Sequence, residues 1–178
     1  MAKSTTSHVM HDLGLAAWFG GTLANAVALN PAAGAAGGSD TGRVANAGWD
    51  RWTPVNAAAI GAHLVGSVGQ LTGNRRRVAR QRGVAGMSVL KTALTVAALG
   101  ATAYSRSLGI VVSGAGAVPA KSGTKPSKRT KAEVAAAQEQ LDRLQWIIPA
   151  LTGALVAVSS YAGEQQRPGE VARGIAQR

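Results

Sequence analysis

The sequence predicts an all-α fold: a bundle of four transmembrane helices, both termini cytoplasmic, with a helical extension before the fourth span. Three observations predict it. Four apolar segments of about 18 to 22 residues, about 27 to 33 Å as helix, match the hydrocarbon thickness of a bilayer. The 46% hydrophobic share rests on Ala, Val and Leu, with one Phe and two Tyr against 23 Gly. That composition suits closely approaching helices better than an aromatic-rich soluble core. The formal charge of +11 lies mainly between the apolar segments. At 178 residues the chain suits one integral membrane domain, and without Cys it has no disulfide or thiolate metal ligand.

The first span, about residues 12–30, opens in "HDLGLAAWFGG", residues 11–21. Ala24-Asn25-Ala26 resembles a signal-peptidase site, but only Lys3 precedes the run and Asp12 adjoins it. The segment therefore reads as a retained span. A polar outer loop over 31–53 leads to the second span, about 54–72, which carries Asn56, His63, Ser67 and Gln70 and so needs protein neighbours.

The inner loop, 73–83, holds "NRRRVARQR", where Arg75, Arg76, Arg77, Arg80 and Arg82 keep the loop cytoplasmic and attract anionic lipid headgroups. Trp49, Trp52 and Trp146 then fall at the outer interface, as an aromatic belt requires. The third span, about 84–105, lets Lys91 snorkel inward and leaves Arg106 outside. Residues 107–118 either prolong this helix briefly or lie along the outer surface.

The second outer loop, 106–145, contains "KSGTKPSKRTK", disordered by composition and opposed in sign to the topology. After Thr130, an expected N-cap, "KAEVAAAQEQLDRLQ" reads as a helix joined to the fourth span, about 146–163, with a kink at Pro149.

Polar residues recur every seven positions in each span, and so share a helical face. The stripes are His11, Trp18, Asn25; then Asn56, His63, Gln70; then Ser88, Thr95, Thr102; then Gln145, Thr152, Ser159 and Gln166. Lipid cannot satisfy these groups, so they should line an inner seam. Alternating directions place Trp18, His63 and Thr95 in a middle layer and leave His11 about two turns away, about 10 Å from His63. That spacing speaks against a bis-histidine site, and no set of acidic or sulfur ligands supports a metal. Small residues repeat every four positions, as in Ala58, Ala62, Gly66, in Ala93, Ala97, Ala101, and in Ala150, Ala154. They should let the helices of the bundle approach one another.

Three functional readings follow. The first is a non-enzymatic structural or accessory component, paired with itself or with a larger membrane complex. The second is a haem- or quinone-binding redox component using His63, Trp18 and His11, because an ionisable group at mid-membrane is itself a functional signal. The third is a small transporter with the seam as its path. An inner cluster of Asp12, Lys91 and Glu164 beside His11 reads as an ion-pair anchor. No soluble-enzyme motif, catalytic triad or nucleotide loop is present, and no aromatic residue interleaves the arginine run as a nucleic-acid platform would.

His11, Trp18, Gly20 and Gly21 form H-x6-W-x-G-G, which resembles the first span of several bacterial four-helix membrane families, copper-resistance D-like proteins among them. The resemblance covers about eleven residues. It implies a small helical bundle in the cytoplasmic membrane that handles a metal or haem. The chain departs from a copper site in having three Met and no Cys.

Overall fold

The computed structural model describes residues 2–80 and 82–164, with side chains described over 5–73 and 84–163. It is all-helical, with no β-strand among the described residues. The order is α1 (Ala2–Ala24), a π-helical turn (Asn25–Leu29), α2 (Asn30–Gly34), α3 (Asp40–Arg80), α4 (Arg82–Gly114) and α5 (Ala132–Glu164). The four long helices alternate in direction. Each packs on two neighbours, with α1 against α3 and α5, and α4 against α5 and α3.

α1, the π turn and α2 make one nearly continuous rod. Pro31 lacks the N–H that would bond the carbonyl of residue 27. The turn before it widens so that the Asn30 N–H bonds the Asn25 carbonyl. This turn brings both Asn25 and Asn30 into buried positions.

The segment expected as an outer loop over 31–53 is helical except at 35–39. Gly37 and Gly38, at φ 73° and 55°, supply the left-handed turn, and Asp40 starts α3 where its charge favours the helix N-terminus. The polar stretch that follows stays helical because Thr41 and Ala45 are buried. The short turn also sets the register of α1 on α3. A methyl on Gly14 would lie 2.5 Å from the His63 nitrogen, and one on Gly66 would lie 2.6 Å from the Ser7 carbonyl oxygen. Glycine at both positions allows this backbone contact.

α4 continues through Gly114, so residues 107–114 prolong the third helix. The loop that follows has defined structure despite its composition. Ala120 pairs with Pro126, Val118, Ala120 and Thr124 are buried, and the Gly123 N–H donates to the Asn30 carbonyl at 3.0 Å. Thr130 does not cap α5. Its hydroxyl turns back to accept from the Ser127 N–H and donate to the Pro119 carbonyl. α5 then runs as a single helix through Pro149, which joins the expected extension to the expected fourth span.

Two small cores result. Trp18, Ala59 and Ala98, with Ile60, Leu99 and Leu151, fill the middle. Val112, Val118, Val134 and Ala137, with Leu108 and Leu141, fill the end beneath the loop. Over Val84–Gly114 and Ala132–Gly163, α4 and α5 are long and apolar enough to cross a membrane. Their most apolar stretches are only 6% and 22% buried, unlike the core helix of a soluble protein. Among the described residues α1 and α3 do not meet the same measure, since histidine, asparagine and serine interrupt their apolar runs.

Candidate functional site

The centre of the bundle holds two histidines that the sequence analysis set apart. His11 and His63 are 1% and 0% exposed, and their ring centroids lie 4.5 Å apart at a 48° tilt. The expectation of a 10 Å separation fails because it treated residues 31–53 as loop. With the turn at 35–39, residue 11 comes opposite residue 63. Trp18 completes the group, its ring 6.0 Å from His63 and its surface fully buried.

Hydrogen bonds fix the ring orientations. The Asp12 carboxylate, 68% exposed, accepts from His11 Nδ1 at 2.7 Å. His63 Nδ1 faces the His11 backbone carbonyl at 3.4 Å, and His63 Nε2 faces the Thr95 hydroxyl at 3.5 Å. With carbonyl and carboxylate as acceptors, both neutral rings carry their proton on Nδ1, and Thr95 donates to His63. A chain of polar groups thus runs from exposed Asp12 through both imidazoles to α4. His11 Nε2 and Trp18 Nε1 are buried without a hydrogen-bond partner.

This geometry bears on the cofactor readings. Two axial imidazoles aim at one iron from opposite sides of a porphyrin, whereas these rings touch. The pair cannot clasp a haem between them. No group of three or more His, Asp or Glu suited to a metal occurs among the described residues.

The ion cluster is looser than expected. Asp12 takes His11 as its close partner, while the half-buried Lys91 ammonium lies within electrostatic reach of Asp12 and both imidazoles. The side chains of Glu164, Arg75, Arg76, Arg77, Arg80 and Arg82, and all of Gln166, lie outside the described residues.

The seam residues occupy buried or half-buried positions: Asn25 and Thr152 are buried, and Asn56, Gln70, Ser88, Thr95, Thr102, Gln145 and Ser159 half-buried. Only some of them bond between helices, Thr95 with His63 and Gln145 with Asn30. Thr152 donates to the Ile148 carbonyl and Ser88 to the Val84 carbonyl, each on its own helix. The small-residue repeats also divide. Gly66 meets α1, but Ala58, Ala93, Ala97, Ala150 and Ala154 face outward.

Two features escaped the sequence reading. At the loop end, Asn30 donates from Nδ2 to Gln145 Oε1 at 2.9 Å, and its Oδ1 accepts from Trp49 Nε1 at 3.1 Å. Asp142 accepts there from Gln145 and from Thr124, which ties α2, α3, α5 and the loop together. A polar residue directly before Pro31 at the end of an apolar run was the available signal.

The second is a cavity of about 300 Å³ between α3 and α4, backed by α5 and the loop. Counting outward from the His63–Thr95 contact, its levels are Ile60 with Leu99, Asn56 with Thr102, and Trp52 with Arg106. Trp52 Nε1, Asn56 Oδ1 and Thr102 Oγ1 are buried without partners.

No family model matches the chain, and neither a curated protein nor a solved structure does.

Proposed function

We infer that the chain is a four-span protein of the bacterial cytoplasmic membrane, both termini inside, that serves as a non-enzymatic structural or accessory component. One observation carries this reading: the bundle buries polar side chains at its centre while it turns large apolar ones outward. His63 and Thr152 are wholly buried, while Val89, Val96 and Ile110 are 69%, 63% and 58% exposed along one helix. Water would penalise that apolar surface and oil would not.

The helix lengths fit the same frame. Thirty-three residues of α4 or α5 extend about 50 Å, beyond the about 30 Å of hydrocarbon. The surplus at the loop end, with its own small core and the Asn30 network, stands clear of the bilayer on the outer side. The five arginines of residues 74–82 hold the opposite end at the cytoplasmic headgroups. The outward alanines of α4 and α5 suit a packed helix, from a second copy or from a larger complex.

A transporter is less well supported, because Trp18, Ala98 and Leu155, all fully buried, plug the seam at mid-height.

Membrane extraction and topology labelling test the reading. The chain should stay with membranes through an alkaline wash and need detergent for release. Ser122→Cys should react with an impermeant thiol reagent on intact cells, and Gly73→Cys only after permeabilisation. Release without detergent overturns the membrane reading, and the reverse labelling pattern overturns the orientation.

A further inference from the structure

The His11–His63 dyad is built for two uncharged rings. Both imidazoles are sealed from solvent, at 1% and 0% exposed, and they stand 4.5 Å apart. A proton added to neutral His11 goes to Nε2, where the new N–H meets no acceptor. On His63 the Thr95 hydroxyl can turn to accept, but the charge then lies wholly buried against the other ring.

The surrounding charges do not offset that cost. α1 brings His8 and Asp12, and the Asp12 carboxylate, 68% exposed, is largely screened by water. α4 brings the half-buried Lys91 ammonium, which lies within electrostatic reach of both rings and opposes a further cation. On α3, His63 is the only titratable residue between Arg51 and Arg75. On α5, Tyr161 is 60% exposed, and the Glu164 side chain lies outside the described residues.

We propose that the dyad is an acid-sensitive latch between α1 and α3: it closes with both rings neutral, and proton uptake by either ring loosens it. The helices touch through their backbones on both sides of the rings, at Gly14 against Ala59 and His63, and at Gly66 against Ser7 and His11. That contact leaves a charged ring little room to turn toward water while the helices stay together. Once they separate, the rings titrate in the ordinary histidine range, near about 6.5. The open form then binds more protons than the closed one. The latch is therefore fully closed above that range and weakens below it, by up to about tenfold per ring for each pH unit.

This goes beyond the structural reading by making the component responsive to acid, and its test is indifferent to topology. The full chain in detergent is unfolded with SDS at pH 8 and at pH 5.5. The unfolding equilibrium constant should be about tenfold or more higher at the lower pH. His11→Phe with His63→Gln should remove most of that rise, whatever the stability of the pair at pH 8. Two variants keep the test decisive if the pair fails to fold. Asp12→Asn takes away the anion that favours a charged His11 and should enlarge the acid effect. Lys91→Gln takes away the opposing cation and should diminish it. An acid effect that is missing from the parent, kept by the histidine pair, or abolished by His8→Gln overturns the proposal. So does a change of the same sign in the Asp12 and Lys91 variants.

Discussion

His11 and His63 hold their imidazoles 4.5 Å apart in the layer where α1, α3 and, through Thr95, α4 converge. Neither residue's burial is explained by apolarity. Each ring has a partner at Nδ1, Asp12 for His11 and the His11 carbonyl for His63, and Thr95 meets His63 Nε2, while His11 Nε2 is left unpartnered. The dyad thus clasps α1 to α3 and α3 to α4 with one group of side chains.

That clasp predicts energetic coupling. His63→Ala removes a fully buried ring and should cost about 2 to 4 kcal/mol of stability in detergent. His11→Ala should cost less once His63 is already Ala. A double-mutant cycle read by unfolding should then give a coupling of about 1 kcal/mol or more. Strictly additive losses would show that the rings merely adjoin.

The closeness of α1 and α3 is a backbone contact and should be intolerant of side chains. Gly66→Leu would drive its side chain into the Ser7 and His11 backbone, which cannot rotate away. The expected loss is at least about 1 to 3 kcal/mol, seen as a lower melting temperature. Gly73→Leu, on the same helix with nothing within 4 Å, serves as the control and should melt like the parent.

These residues also show what the sequence could and could not convey. Seven-residue polar spacing was legible because helical period and oil's refusal of polar groups act on each segment alone. The register between helices was not, because it depends on where the chain turns. Residues 40–53 show no strong apolar stripe; only Thr41, Gly42 and Ala45, all small, are buried there, so a helix looked like a loop. The loop over 115–131 misled for the opposite reason. Its lysines suggest disorder, but its order comes from distant partners such as Asn30 and Asp142. The cavity left no mark in the sequence, since neighbouring helices with adequate stripes can still stand apart over part of their length.

Asn30 makes a further prediction at the loop end. Asn30→Leu would take the partner from the half-buried Trp49 N–H and Gln145 side-chain oxygen and put an apolar side chain where buried Asn30 bonds both. A loss of about 2 to 3 kcal/mol is expected. Local opening should accompany it, with faster trypsin cleavage after Lys121 and Lys128 in folded protein. Unchanged cleavage kinetics would mean that the loop is held by its own turns.

The outward-facing apolar side chains of the bundle predict a pattern of oxygen accessibility. The chain has no cysteine, so single cysteines can carry spin labels without background. In lipid bilayers, labels at Val89, Val96 and Ile147, all exposed, should collide freely with dissolved oxygen and poorly with a water-soluble nickel chelate. Labels at Ala98 and Thr152, fully buried, should be shielded from both, and each should also lower stability because it overfills a packed site. Ser122, in the loop, should favour the chelate. The decisive comparison is Val96 against Ala98, two residues apart on one helix and facing opposite ways. If both respond alike to oxygen, α4 does not present one face to lipid and the other to the seam, and the placement of His63 and Thr95 in a sheltered interior loses its physical basis.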